Sequence, residues 1–260
     1  MVQGDYEQFK KSILALTKIN LTAYKEKQMR RRIDTLIERN KFKDYASYAD
    51  GLKTDTKLFD EFVNYITINV SEFYRNTDQW ELMDKEYIPE LRKKFGDNLK
   101  IWSAACSTGD EPYSLVMAFS RHIPLDKIKI HATDLDKTVI GKAKVGLYSA
   151  KSLTGVPKDF KDKYFEKIGP SFQIKDDIKK HVEFKEHNLL KDPFPTNYDL
   201  IVCRNVLIYF TEEAKDEVFR KFAASLKIGG FLFIGSTEQI MDYRSMGFER
   251  RNSFFYERVK

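Results

Sequence analysis

Over the first seventy residues, apolar positions recur with the period of helices, and no stretch alternates at every second residue over the length of a strand. Asp5 caps a predicted helix running to about residue 16, and Thr22 a longer one to about residue 40. Two more are predicted over 44–53 and 56–68, joined by short polar links. In the second helix Met29, Ile33, Leu36 and Ile37 fall on one face, the stripe expected of a core. From Thr77 the pattern changes. An amphipathic helix carrying Trp80, Leu82, Met83, Tyr87 and Leu91 is predicted to about residue 95, interrupted near Pro89 and stopped at Gly96. Strands at 100–105, 128–133, 199–203 and 229–235 then alternate with helices at 110–122, 135–145 and 212–226. That rhythm predicts an α/β class with a doubly wound, mostly parallel sheet. A closing strand at 254–259, after the turn at Gly247, is expected to run antiparallel at the edge.

Residues 146–187 break the rhythm. They predict a helix over 159–165 and a hairpin of strands 171–175 and 181–186 around Asp176-Asp177. This reads as a small antiparallel β subdomain inserted on the surface of the sheet. The organisation expected is therefore an all-α N-terminal domain over 1–70 with a basic helix, then an α/β domain over 71–260 with an insertion at about 146–187.

Composition narrows the class. A hydrophobic content of 42% with 20 Phe and 14 Tyr suits well-filled cores and argues against disorder. No apolar run reaches the ~18 residues that a membrane span needs, and no export signal opens the chain, so a cytoplasmic protein is expected. Cys106 and Cys203 are too few for a disulfide framework or a zinc site, which fits a reducing compartment. Each cysteine ends a predicted strand, and two small buried residues are the expectation over a redox pair. The net charge of +6 is mild, but its distribution matters more. Lys25, Arg32 and Arg39 recur every seven residues along the second helix, and Arg30 and Arg31 thicken the cluster. A basic stripe is commonly a solvated face. This one is dense enough to suit an acidic partner.

Candidate chemistry sits where the predicted strands end. In Cys203-Arg-Asn-Val-Leu-Ile-Tyr-Phe210 a buried strand breaks into polar residues, the place where ligands bind in open α/β sheets. The first strand runs into Cys106-Ser-Thr-Gly109 and then a helix opening with Asp110 and Glu111. One glycine is weak evidence for a dinucleotide cradle, and two acids there would repel a pyrophosphate but suit a cation. The second strand ends at Asp134, where an acid reads ribose hydroxyls. A ligand with a ribose, a positive charge and no phosphate is S-adenosylmethionine. Upstream, Asn69, Ser71 and Arg75 interleave with Val70, Phe73 and Tyr74 in a segment that is expected to pack, either as a cap with core anchors or as a loop over a ligand.

Five of these motifs, in order, resemble the CheR-type chemotaxis receptor methyltransferases. They are Asn69-x-Ser71-x-Phe-Tyr-Arg75, Trp102-Ser-Ala-Ala-Cys-Ser-Thr-Gly-Asp-Glu-Pro-Tyr-Ser114, Ala132-Thr-Asp134, His187-Asn188-Leu189 and Cys203 to Phe210. The resemblance spans nearly the whole chain. It implies a Rossmann-like methyltransferase sheet and transfer of methyl groups from S-adenosylmethionine to glutamate carboxylates of bacterial chemoreceptors, leaving S-adenosylhomocysteine. It further implies that Asn69, Ser71, Arg75, Glu111, Asp134, Asn188, Leu189, Asn205 and Val206 contact the cofactor. Ser71 stands where many relatives have Thr, and Asp110 where many have Glu; both keep the chemical type. Tyr209 is the candidate to orient the substrate glutamate, and Arg75 to position the cofactor carboxylate or the substrate. The basic residues Lys25, Arg30, Arg31, Arg32 and Arg39 gain an acidic helical partner in the receptor.

The chemistry asks for little else. A glutamate with pKa near about 4.3 is ionised at neutral pH, so the displacement needs alignment and a dry site but no general base. A monomer without nucleic-acid binding or membrane insertion is expected. The rival readings are a methyltransferase of the same fold acting on nucleic acid or a small molecule, and a non-catalytic binding module. The first lacks aromatic residues interleaved with its basic ones. The second would be expected to lose Arg75, Asp134 or Tyr209, and all three are present.

Overall fold

The computed structural model describes residue 2 and residues 4–260. Three of its N-terminal helices begin where an aspartate caps them. Asp5 accepts from the Gln8 amide at the start of α1 (Tyr6–Thr17). The next helix, α2 (Glu26–Arg39), starts three residues later than its sequence suggests, with Lys25 in the cap position in place of Thr22. Leu21–Ala23 instead makes a short 3-10 turn, and Tyr24 is extended because it forms a β-bridge with Phe210. The two rings meet edge-on at 5.0 Å. Asp44 and Asp55 cap α3 (Tyr45–Thr54) and α4 (Thr56–Thr67). The apolar stripes of these helices bury Phe9, Ile13, Ile33, Leu36, Ile37, Tyr48 and Phe62 to 2% exposure or less. This compact unit runs up to Asn69 and also takes in Ile208–Glu217; the other comprises Val70–Leu207 and Val218–Lys260.

The larger unit opens with a helical rod: α5 (Thr77–Leu82), a π-helical turn over Met83–Tyr87, and α6 (Ile88–Phe95). Pro89 has no amide to donate and crowds the turn before it, and the wider π turn takes up that misfit, so the rod continues through it. Next come β1 (Ile101–Ala104), α7 (Asp110–Phe119), β2 (Ile130–Asp134) and α8 (Lys137–Val145). The insertion supplies β3 (Leu147–Ser149), α9 (Lys158–Tyr164), β4 (Phe165–Ile168), β5 (Ser171–Ile174) and the short α10 (Asp176–Lys179). The chain closes with β6 (Val182–Glu186), β7 (Tyr198–Cys203), α11 (Glu212–Ser225), β8 (Leu226–Ile234), β9 (Phe248–Arg250) and β10 (Phe255–Arg258).

Seven strands form the main sheet in the order β6-β2-β1-β7-β8-β10-β9. The first five run parallel, and β10 pairs antiparallel with both β8 and β9. The chain winds outward from β1 through β2 to β6, then returns to the other side of β1 with β7. The carboxyl ends of β1 and β7 therefore flank the switch point, where such sheets bind ligands.

Two expectations for the insertion are corrected. Residues 181–186 do not pair with 171–175; β6 lies parallel to β2 from Ile130↔Val182 to Asp134↔Glu186, at the edge of the main sheet. The small sheet is β3-β5-β4, and its hairpin is β4–β5, turning at Gly169-Pro170. The insertion is also no surface decoration. Tyr148, Tyr164, Ile174 and Ile178 are buried in the same apolar core as Trp80, Val116 and Phe233. Phe73, fully buried, meets Tyr148 and Phe165 edge-on at 4.7 and 5.2 Å, and its amide donates to the Ser152 carbonyl at 3.0 Å. The segment before α5 is thus packed into the core.

Candidate active site

The turn after β1 is tightly constrained. Ala105 and Ser107 take left-handed backbone conformations (φ 67° and 47°), as does Gly109 at 89°. Such strain at non-glycine residues costs free energy and persists where the surroundings enforce it. At Gly109 a Cβ would lie 2.8 Å from the Ala143 Cβ, 3.1 Å from the Tyr113 ring and 3.2 Å from the Tyr148 hydroxyl. The glycine is required because α8 and the insertion close on the turn. Tyr148 fastens it by donating to the Thr108 carbonyl at 2.7 Å.

Asp134 ends β2 and lies beside this turn. Its carboxylate accepts from the Ser107 amide at 2.8 Å and the Asp136 amide at 3.0 Å. Each oxygen keeps a lone pair for a further donor. Burial pushes its pKa up to about 6 against those hydrogen bonds. Glu111, in the first turn of α7, accepts from Ser103 Oγ at 2.8 Å and lies 3.8 Å from the Arg204 guanidinium. Burial outweighs the attraction of Arg204 and Arg75, and the Glu111 pKa rises to about 7. Asp110 is buried too, held by Thr108 at 2.6 Å and by Ser71. Burial raises its pKa as well.

Arg204 is a fastening rather than a contact aimed at solvent. Its Nη2 donates to the Arg75 carbonyl, Asn76 Oδ1 and Gln79 Oε1 at 2.7, 3.2 and 2.9 Å. Its guanidinium lies over Phe233, 4.7 Å from the ring centre. The backbone bearing Arg75 is thereby tied to the end of β7, and the Arg75 side chain donates to the Val70 carbonyl at 3.3 Å.

The remaining candidates follow β6 and β7 or lie in the helical unit. Asn188 and Leu189 are buried after β6, where Asn188 Oδ1 accepts from the Leu190 amide and the Asn188 amide donates to Asp192. Asn205 (φ 62°) and Val206 follow β7 and are half-buried. So Ser71, Arg75, Glu111, Asp134, Asn188, Leu189, Asn205 and Val206 all belong to the sheet-bearing unit. Asn69 and Tyr209 belong to the helical one. Asn69 donates to Thr67 Oγ1 at 2.9 Å there. The Tyr209 carbonyl accepts from the Lys25 amide at 2.9 Å, and the Thr211 amide donates to the Ala23 carbonyl at 2.8 Å. The start of α2 and the segment holding Tyr209 are therefore one body.

The basic cluster of α2 is divided by its contacts. Arg30 donates to the Tyr45 hydroxyl and lies over the Tyr6 ring at 5.0 Å. Arg32 donates to the Tyr65 carbonyl and stacks on that ring at 4.5 Å. Arg39 is exposed and pairs with Glu61 at 3.2 Å, Arg31 is exposed, and Lys25 is half-buried at the helix start.

One residue was missed from sequence: Glu238, whose carboxylate gathers the backbone amides of Asn205, Val206 and Leu207 beneath the loop after β7. An acid just past the end of β8, in Gly235-Ser-Thr-Glu238, was the available signal. Cys106 and Cys203 are both buried with free thiols, and burial pushes both pKa values well up.

The donor set suits one ligand. Three carboxylates lie near the switch point, Asp110 and Glu111 in the first turn of α7 and Asp134 at the end of β2, and they fit a cationic nucleoside better than a phosphate. The strand order and these acids accord with an S-adenosylmethionine-dependent methyltransferase, and the family match makes S-adenosylmethionine its methyl donor. The CheR methyltransferase SAM-binding domain matches residues 69–253, and the CheR methyltransferase all-alpha domain matches residues 4–67. The chain belongs to the CheR methyltransferase family. It is 40% identical to a chemotaxis protein methyltransferase of Listeria innocua over 255 residues, covering 98% of this chain and 97% of that protein. It is 32% identical to one from Borreliella burgdorferi over 241 residues, covering 88% and 85%. Among the described residues no helix is long and apolar enough to cross a membrane.

Proposed function

We propose that this enzyme methylates glutamate side chains on the acidic helical region of chemoreceptors, in the cytoplasm and as a monomer. The observation that carries the reading is the anchoring of Tyr209 to the head of the basic helix, through the Lys25 amide and the Tyr24–Phe210 contact. A residue three positions past the cofactor loop is thereby fixed to the element suited to an acidic helix. Asn69, Ser71, Arg75, Glu111, Asp134, Asn188, Leu189, Asn205 and Val206 would hold S-adenosylmethionine, which supplies an electrophilic methyl on a sulfonium. Asp134 would take the ribose hydroxyls, Glu111 the cationic end, and Asn205 with Val206 the adenosine.

The substrate carboxylate is ionised at neutral pH and attacks without a base. The residues therefore have to align it and keep water out. Tyr209 would orient the carboxylate by a hydrogen bond, and Arg75 would hold the cofactor end of the site. A tight arginine clamp on the nucleophile would stabilise the ground state and slow transfer. Incubation with labelled cofactor and either purified chemoreceptor or RNA tests this. Base-labile methyl esters on the receptor are the expected product. Base-stable label on either substrate would overturn the carboxylate reading and favour another methyltransferase activity of the same fold.

A further inference from the structure

Past β8 the chain turns at Gly235, and Glu238, 3% exposed, reaches back beneath the loop that leaves β7. Its Oε2 accepts from the amides of Asn205 at 2.7 Å and Gly235 at 2.9 Å. Its Oε1 accepts from Val206 at 2.9 Å and Leu207 at 2.7 Å. Three consecutive amides converging on one side form a nest, a backbone shape that closes around an anion. The left-handed Asn205 makes that convergence possible, and asparagine tolerates this conformation better than most residues. Gly235 is required for the approach: a Cβ there would lie 2.6 Å from Glu238 Oε2 and 3.0 Å from the Asn205 amide.

We infer that Glu238 is a positioning residue of the methyl-donor site, an internal anion that sets the backbone path of 205–207 and so aims Asn205 and Val206 at the adenosine. The inference rests on the reading of those two residues as cofactor contacts. The requirement is specific to a carboxylate. A glutamine presents a single acceptor oxygen and turns an NH2 group toward amides that also donate. An aspartate keeps both oxygens but falls short by one methylene. Burial raises the Glu238 pKa while the four amide hydrogen bonds oppose it, which marks a carboxylate held in place by its surroundings.

The test is a titration of Glu238→Gln and Glu238→Asp with S-adenosylhomocysteine, well below their unfolding midpoints, beside wild type and Leu91→Ala. Leu91 is a core residue of α6 in the same unit and controls for lost stability. Glu238→Gln is expected to bind the product about tenfold more weakly, with the KM for receptor within about twofold of wild type, and Glu238→Asp to recover part of the loss. Leu91→Ala is expected to unfold earlier yet bind normally. Binding by Glu238→Gln within about twofold of wild type would overturn the inference, as would an equal loss in Leu91→Ala. If Glu238→Gln does not fold, Glu238→Asp decides: a loss beyond about threefold supports the role, and unchanged binding ends it. Failure of wild type itself to bind would instead reject the cofactor reading beneath it.

Discussion

Glu111 sits at a pKa where small changes in pH decide its charge. Burial holds it at about 7 in the free protein, and a cation seated against it would favour the ionised form. The sign follows from linkage: binding selects the deprotonated state, so it releases a proton near neutrality and weakens as pH falls. About nine-tenths of the protein carries ionised Glu111 at pH 8 and about one-tenth at pH 6. Affinity for S-adenosylmethionine, which carries the positive charge, is expected to drop about tenfold between those values, with Asp134 adding to the fall at the acid end. Glu111→Gln should flatten the upper part of the profile. Calorimetry in buffers of different ionisation enthalpy reads the proton directly, and constant affinity from pH 8 to 6 would contradict the role given to Glu111. At this scale the sequence was informative on which polar side chains stand at strand ends, as with Asp134 and Asn205. It was silent on Glu238, because a carboxylate that serves backbone amides leaves no pattern in the residues it serves.

Among the elements, the turn between β1 and α7 is closely packed. Gly109→Ala combines a left-handed backbone with a 2.8 Å approach to Ala143. The strain and the overpacking together should cost about 2–4 kcal/mol, read as a lower midpoint in urea unfolding. A loss under about 0.5 kcal/mol would mean that α8 yields easily there. The parallel strands were legible because central strands are apolar on both faces, as the fully buried β7 is. The same rule explains the misread hairpin. As an edge strand β6 alternates partly buried and exposed residues, and alternation with turn residues before it mimics one arm of a hairpin. Pairing to β2, some fifty residues earlier, has no local signature. The late start of α2 has a similar origin: Thr22 looked like a cap, but Tyr24 is drawn into a bridge with Phe210, a partner remote in sequence.

For the whole molecule, charge on the helical unit should govern encounter with the receptor more than chemistry. Arg30 and Arg32 are engaged by tyrosines and a backbone carbonyl within that unit, so reversing them would test folding as much as docking. Arg31 and Arg39 are exposed, and the Glu61 pair of Arg39 is of the kind that contributes little in water. Arg31→Glu with Arg39→Glu is expected to raise the receptor KM about five- to tenfold at low ionic strength, with the gap narrowing as salt is added. Affinity for S-adenosylhomocysteine should not change. Equal KM values for variant and wild type in dilute buffer would remove α2 as the docking element. The two-part organisation was legible in the switch from helical to alternating strand–helix periodicity. The affiliation of Ile208–Glu217 with the helices was not, since it depends on contacts that no local window contains.

That affiliation bears on how such a protein can be taken apart or recombined. The two family domains divide the chain between residues 67 and 69, as if it could be cut there. Yet the helical unit borrows ten residues from deep inside the other domain's sequence, including the ring that faces Tyr24 and the carbonyl that receives the Lys25 amide. A gene fusion or deletion at that junction would strip the helical part of this segment, a 3-10 turn running into the start of α11, and part Phe210 from Tyr24. A helical fragment meant to fold by itself would therefore need Ile208–Glu217 supplied with it, although the family boundary places that stretch in the other domain.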